Sequence, residues 1–257
     1  MTPRIQQEYV QFIVSFALGI VLLLLTGCAK VQRSPVNNTL VTARLQLGMA
    51  YLERDDLDAA RRNLSSAVEA APGDYRTQLG MALYEQRIGD YGAAEQRYQK
   101  ALHQAPENGS VMNNYGAFLC SLGQYVAAQK QFSTAAQRPD YREVAQALEN
   151  AGYCHFKAGE CDEARTFLVR ALHYDPTKGD RVLSEVGQRL TTRQFNQARL
   201  LLDVYHHSLP ASAESLWLEI RFAALAGRDD ERNYHGDRLA RSFPQSKQYQ
   251  QFLANEY

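Results

Sequence analysis

The sequence has few cysteines, few prolines and no excess of charge of either sign. Its 257 residues include four cysteines, eight prolines and one tryptophan, and 28 Lys and Arg residues balance 28 Asp and Glu residues. Zero net charge excludes a strongly basic nucleic-acid binder, and an apolar content of 45% excludes a disordered tail protein. A chain of this length buries a core without metal ions or disulfides.

The sequence also lacks the residue sets of an active site. It has neither a phosphate-binding glycine loop nor a nucleophile with its base. The adjacent His206 and His207 point in different directions on a helix, and no HExxH or CxxC motif accompanies them. Acidic clusters suit the starts of helices, where the dipole is positive; they are Asp55-Asp56, Asp162-Glu163 and Asp229-Asp230-Glu231. We therefore predict that the protein is not an enzyme and holds no metal or cofactor.

The first 27 residues have the features of an export signal. Residues 1–11 are polar, and Phe12–Leu25 is an apolar run of 14 residues. A membrane-spanning helix needs about 20 apolar residues, so this run has the length of a signal-peptide core, with an uncleaved membrane anchor as the alternative. The next residues, Leu25-Thr26-Gly27-Cys28, resemble the lipobox of bacterial lipoproteins.

This resemblance implies that Cys28 becomes the first residue of the mature chain and carries a diacylglyceryl thioether and an N-acyl chain. A cysteine thiolate is the nucleophile that such alkylation requires. More than one acyl chain gives stable anchoring, since each buried CH₂ contributes about 0.8 kcal/mol. In this class an Asp after the cysteine often retains the protein at the inner membrane, so Ala29 implies the outer membrane. Residues 28–40 comprise the lipidated Cys28 and a polar segment that we interpret as a tether.

The rest of the chain repeats about every 34 residues. Prolines mark the period, with successive spacings of 34, 33, 37, 34 and 34 residues; they are Pro72, Pro106, Pro139, Pro176, Pro210 and Pro244. Proline ends a helix because it lacks the N–H group and clashes with the preceding turn. Helices are also favoured because Ala, Gln, Leu and Arg are abundant, whereas Val/Ile/Thr runs are scarce.

Small residues recur within each period and resemble the tetratricopeptide-repeat (TPR) pattern. In the first helices they are Gly48, Ala82, Gly116 and Gly152, and in the second helices Ala60, Ala94, Ala128 and Ala164. Small side chains there let the two helices of a hairpin approach closely, and stacking buries the free face of each hairpin. The resemblance implies an all-α TPR solenoid of about six units, at residues 41–74, 75–108, 109–142, 145–178, 179–212 and 213–246.

The last two units depart from this pattern. Apart from its proline, the fifth keeps only Ala198 and Leu202, and the sixth keeps Gly227. Terminal repeats are normally atypical because one face meets solvent. We expect residues 247–257 to close the solenoid with a short helix that places on one side Tyr249, Phe252 and Leu253.

Three cysteines other than Cys28 bear on the redox state of the protein. Export to an oxidising compartment favours one disulfide and one remaining thiol. We expect the bond between Cys120 and Cys154, which lie on first helices of neighbouring units. A bond from Cys154 to Cys161 within one hairpin and three reduced thiols are the alternatives.

The first helices of TPR solenoids line a groove that binds partners. The positions that commonly point into it are occupied here by Leu45, Met49, Leu52, Leu79, Leu83, Asn113, Ala117, Tyr153 and Phe156. This apolar, partly aromatic strip suits an amphipathic helix or an extended apolar segment. The alternative is that some of these residues pack between repeats or under the tether. The Lys/Asn set with which chaperone-binding TPR domains hold a terminal carboxylate is missing.

Three segments resemble a particular TPR family. They are Met112–Gly116 with the following Phe118-Leu119-Cys120, Glu149–Gly152, and Ser215–Arg221. Together with the lipobox, the tether and the repeats, they are similar to the PilF/PilW family of type IV pilus biogenesis lipoproteins over the whole chain.

This resemblance implies a pilotin on the periplasmic face of the outer membrane. Such a protein binds pilus secretin (PilQ-like) subunits and other pilus components, and promotes secretin localisation and multimerisation. It implies a monomer that contacts the membrane through its lipid and binds no nucleic acid. Two other classes remain open: a TPR lipoprotein that scaffolds or activates a periplasmic cell-wall enzyme or protease, and an enzyme of unrecognised type.

Overall fold

The structure is a computed structural model that describes residues 35–257. The predicted signal peptide, Cys28 and residues 29–34 of the tether lie outside the described residues. Across residues 35–257 the chain forms thirteen α-helices and no strand, which confirms the predicted all-α class.

The first twelve helices form six antiparallel pairs, each with an A helix followed by a B helix. The A helices are α1 (Pro35–Glu53), α3 (Tyr75–Arg87), α5 (Gly109–Ser121), α7 (Val144–Ala158), α9 (Gly179–Thr191) and α11 (Ala213–Leu225). The B helices are α2 (Leu57–Ala70), α4 (Tyr91–Gln104), α6 (Tyr125–Ala136), α8 (Cys161–Tyr174), α10 (Phe195–Ser208) and α12 (Asp229–Ser242). A short 3₁₀ helix (Pro176–Lys178) precedes α9, and α13 (Lys247–Leu253) ends the solenoid. The marker prolines all lie just beyond B helices.

Each turn from an A helix to its B helix contains one residue with a positive φ. Glycine fills this position in four pairs, at Gly89, Gly123, Gly159 and Gly227. Asp55 and Arg193 adopt the same conformation in the first and fifth pairs, with φ values of 60° and 59°. The fifth pair therefore keeps the left-handed turn although it has Arg193 in place of glycine. Both degenerate units form helix pairs.

Polar caps explain where many helices begin. Asp56 caps α2 by accepting a hydrogen bond from the Ala59 backbone N–H at 3.0 Å, and Asn108 caps α5 in the same way. Ser212 and Ser215 form a reciprocal capping box at α11. Such caps satisfy backbone donors that have no partner within the helix. The acidic clusters that begin α8 and α12 lie in first turns, as the dipole interpretation predicts.

Small residues hold the helix pairs close together. A Cβ atom added at Gly48 would lie 2.6 Å from Leu64 Cγ, and one added at Gly152 would lie 2.7 Å from Leu168 Cγ. Ala82, at the equivalent position, is fully buried. The A and B helices of one hairpin therefore approach as closely as the small-residue pattern predicts.

One segment at the N-terminal end of the solenoid differs from the sequence prediction. Helix α1 begins at Pro35, inside the segment interpreted as a tether, because proline is tolerated at the first helical position, where no N–H is needed. Tyr141 lies in the connection between α6 and α7. Its ring is buried against Met112 and Ala147, and a side chain at Gly109 would clash with it.

The solenoid ends on an apolar cluster around Trp217. Tyr249 and Phe252 of α13 pack against this cluster, which also contains Ile220 and Leu239. Leu253 does not join it and is 57% exposed, contrary to the predicted single apolar side. The closing helix is short, and Leu253 lies on its solvent side.

Candidate partner-binding groove

The A helices together form the surface that we call the groove. Its N-terminal part is apolar: Leu45 and Met49 from α1 and Leu79 and Leu83 from α3 are half-buried there. Leu45 packs closely on α3, because a Cβ at Gly80 would lie 3.2 Å from its Cδ2 atom. These four residues serve inter-repeat packing and also leave apolar surface in the groove.

Three predicted groove residues do not offer surface to a partner. Leu52 and Phe156 are each 5% exposed and belong to the hydrophobic core. Asn113 is 6% exposed, and its Oδ1 accepts a hydrogen bond from Asn150 Nδ2 at 3.0 Å. For these three residues the packing alternative is correct, since their side chains point into the helix stack and not into the groove.

The central groove combines a small residue with an aromatic one. Ala117 is exposed, whereas Tyr153 is half-buried. The guanidinium of Arg181, from the next A helix, lies 5.2 Å from the centre of the Tyr153 ring. This distance is typical of a cation–π contact, so the aromatic face is already covered by a charge.

A charged network in the C-terminal groove was not found by sequence reasoning. Glu149 is 1% exposed, and its carboxylate accepts hydrogen bonds from Lys178 Nζ at 3.0 Å and Arg181 at 3.1 Å. Arg189 pairs with Glu185 on the same helix. The sequence does contain one indication of this network. Arg181, Glu185 and Arg189 are spaced four residues apart, which places three charges on one helix face.

The cysteines of the central repeats lie beside this network. Cys120 of α5 and Cys154 of α7 form a disulfide in the structure, with Cα atoms 5.9 Å apart. Cys161 is a free, exposed thiol at the start of α8. The disulfide therefore joins two neighbouring repeats, and the alternative bond from Cys154 to Cys161 within one hairpin is not formed.

The histidines lie mostly outside the groove. His206 lies 3.5 Å from Glu219, whose carboxylate also pairs with Arg199 at 3.0 Å. Burial alone would favour protonated Glu219, but the hydrogen bond from His206 and the charge of Arg199 outweigh it and lower its pKa. Burial lowers the pKa of His235, against the opposing charge of Glu219. Among residues 35–257, no three His, Cys, Asp or Glu side chains are grouped to hold a metal ion.

None of the helices in the described part of the chain has the length and apolar character that crossing a bilayer requires.

Comparison with known proteins agrees with this geometry. Two tetratricopeptide-repeat family models match the chain, one at residues 45–109 and one at residues 89–151. The type IV pilus assembly protein PilF of Pseudomonas aeruginosa is 28% identical over 214 residues, which cover 83% of this chain and 85% of PilF. An uncharacterised protein of Haemophilus influenzae is 29% identical over 157 residues, covering 61% of this chain and 88% of that protein.

Two solved structures share the fold over nearly their whole length. P. aeruginosa PilF superimposes with a TM-score of 0.59 and 27% identity, covering 85% of this chain and 99% of PilF. PilW, a widely conserved type IV pilus biogenesis factor, gives the same TM-score with 24% identity and covers 86% and 99%. The paired helices, their left-handed turns and the groove define a TPR solenoid protein. Within that class, the chain is similar to the pilus biogenesis proteins PilF and PilW.

Proposed function

We propose that the protein acts in type IV pilus biogenesis as a lipid-anchored pilotin that binds secretin subunits. The similarity to PilF supports the role in pilus biogenesis, because it extends over most of both chains. The single observation that carries the binding role is the groove, whose N-terminal part presents four half-buried apolar side chains. Binding of this kind requires no catalytic group.

The anchor belongs to the same proposal. Lipidation of Cys28 would hold the solenoid at the periplasmic face of the outer membrane, where Ala29 is compatible with outer-membrane sorting. A secretin subunit captured there experiences a high effective concentration at its target membrane. In this role the chain carries a covalent lipid on Cys28.

We assign capture of an apolar secretin segment to the N-terminal groove. Leu45, Met49, Leu79 and Leu83 come from α1 and α3, two A helices that contact each other. An amphipathic helix or extended segment buries apolar surface there at about 25 cal/mol per Å². A charged side chain in the strip would have to be desolvated when the partner binds, which opposes association.

The test is purification of the full-length protein from membranes, followed by mass spectrometry of its N-terminal peptide and of co-purifying proteins. We expect a lipidated Cys28 and a pilus secretin. The Met49→Glu/Leu79→Glu variant should lower co-purified secretin and secretin multimers by about tenfold or more, the effect of losing about 1.4 kcal/mol of binding free energy.

The matched control is Val126→Glu, because Val126 is 89% exposed on the B helix α6. It introduces one glutamate away from the groove, where the double variant introduces two within it, and should leave secretin capture unchanged. Circular dichroism must show that all variants remain folded. Unchanged multimers in the folded Met49→Glu/Leu79→Glu variant would contradict the capture site, and co-purification of cell-wall synthases or a protease without secretin would contradict the pilotin role.

A further inference from the structure

A cavity of about 240 Å³ opens on the groove where α5, α7 and α9 meet. Three cationic side chains line it, from Lys157, Arg181 and Arg189, against the single carboxylate of Glu185. The remaining wall is neutral and includes the disulfide between α5 and α7. The cavity therefore has a positive lining on a rigid, cross-linked base.

Two hydrogen-bond donors in this lining have no partner. The Tyr153 hydroxyl and the Nε atom of Arg189 are both buried without a hydrogen bond. Burial also raises the pKa of the Tyr153 phenol, so the hydroxyl keeps its proton and remains a donor. A buried donor without an acceptor is unfavourable.

The ion pairs leave positive charge uncompensated at the mouth of the cavity. Arg189 is paired with Glu185, and Arg181 shares buried Glu149 with Lys178. The side chain of Arg181 is nevertheless 52% exposed. Lys157 is exposed, and no carboxylate in the described part of the chain pairs with it. An arriving anion therefore meets Lys157 and Arg181 first.

We propose that this cavity binds the carboxylate of an aspartate or glutamate side chain in an extended peptide lying along the groove. A helices lie on both sides of the cavity, α3 on one side and α11 on the other, which suits a peptide that extends past the cavity in both directions. Charge-assisted hydrogen bonds from guanidinium and ammonium groups match a carboxylate. This inference goes beyond the proposed function and holds whichever protein supplies the peptide.

The test uses the full-length protein in detergent micelles and acetylated, C-amidated nonapeptides of Ser, Gly and Leu with one central glutamate. Backbone amide signals of Tyr153, Lys157 and Arg181 are followed by NMR during titration. We expect these signals to shift and the glutamate peptides to bind about fivefold or more tightly than the same peptides with glutamine, as one exposed charge pair of about 1 kcal/mol provides.

Substitutions locate the charge that is responsible. Lys157→Gln should lower affinity for the glutamate peptides about fivefold. The matched control Lys130→Gln changes an exposed lysine of α6 and should leave affinity unchanged. Arg181→Gln is a second test, since Glu149 keeps Lys178 as its partner in that variant.

Three outcomes would overturn the proposal. Equal affinity for the glutamate and glutamine peptides would show that the cavity does not recognise a side-chain carboxylate. If a glutamine peptide with a free C-terminus bound more tightly than the amidated glutamate peptide, the site would belong to a chain terminus. Unchanged affinity for the glutamate peptides in both Lys157→Gln and Arg181→Gln would show that the cavity is not the binding site. Secretin capture is measured separately through Met49 and Leu79, so either proposal can fail while the other stands.

Discussion

At the scale of single residues, the distance between paired helices depends on the absence of a side chain. Gly152 in α7 faces Leu168 in α8, whose Cγ atom would lie 2.7 Å from an added Cβ atom. Leu168 is 1% exposed and has no free space to move into. A close contact of this kind forces the two helices apart or moves a core side chain off its rotamer.

We predict that Gly152→Ala lowers the free energy of unfolding by about 1–2 kcal/mol, because overpacking exceeds the gain in helix propensity. The measurement is urea unfolding followed by circular dichroism. Gly92→Ala is the control, since Gly92 lies in α4 with no atom within 4 Å of an added Cβ. An equal loss in both variants would contradict the close-approach explanation.

Single titratable residues also make stability depend on pH. The pKa of His235 in the folded protein lies below the ordinary value of 6.5 because the ring is partly buried. As pH falls through 6.5, the unfolded chain takes up the proton more readily than the folded one, so stability is lost on acidification. Glu219 also has a lowered pKa, but its contribution is lost only when pH falls below about 4.5.

We therefore predict that stability falls between about pH 7.5 and pH 5.5, and that His235→Gln makes this fall smaller. Urea unfolding at the two pH values measures it. His207→Gln serves as the control because His207 is exposed. If both variants keep the full dependence of the wild-type protein, the cause lies in another group.

At the scale of helices, the disulfide is a covalent bond between two A helices that otherwise meet through packing and the hydrogen bond from Asn150 to Asn113. Cys120 and Cys154 are separated by 34 residues, and both are buried. A bond that closes a loop of this length restricts the unfolded chain. It also fixes α5 against α7 at the base of the groove, where the cavity opens.

We predict that Cys120→Ala/Cys154→Ala lowers the free energy of unfolding by about 4 kcal/mol, the value expected for a loop of this size. Cys161→Ser should have no effect, since that thiol is exposed and free. Peptide mapping without reductant should recover one linked pair, from α5 and α7. Recovery of only unlinked cysteine peptides from the exported protein would contradict the bond.

At the scale of the whole molecule, stability is distributed along the stack of repeats. The central repeats share continuous clusters of buried side chains that extend from Ala82 to Cys154 and from Phe156 to Phe222. In α12 only Gly236 and Leu239 are buried, and α13 has no fully buried residue. In a linear array each repeat depends on its neighbours, so a weakly buried end opens first.

We predict that amide hydrogen exchange is fastest, among residues 35–257, in α12 and α13 and slowest in α5 and α7. Exchange followed by mass spectrometry measures this order. The fifth pair is an internal comparison, because its sequence is degenerate but α9 and α10 are well buried. Fast exchange in α9 and α10 would show that sequence degeneracy, instead of burial, sets local stability.

The sequence by itself determined the helix class, the repeat period and the residues of the helix hairpins. These are local properties: a proline ends a helix, a glycine permits close approach, and both act within one repeat. Sequence reasoning also predicted the pair Cys120 and Cys154, because the repeat period places them on neighbouring A helices. Its weakest part was the groove, where Leu52 and Phe156 were expected at the surface.

Only the tertiary structure decided which side chains the groove presents. On an A helix, a core position and a groove position can be neighbours in sequence. The way in which adjacent repeats pack decides which of the two is buried. The charged network is likewise a property of the stack, because Glu149, Lys178 and Arg181 come from two repeats and meet through contacts that no repeat contains alone. Arg193 was likewise revealed only by the structure, since it adopts the left-handed conformation that glycine adopts in four of the other turns.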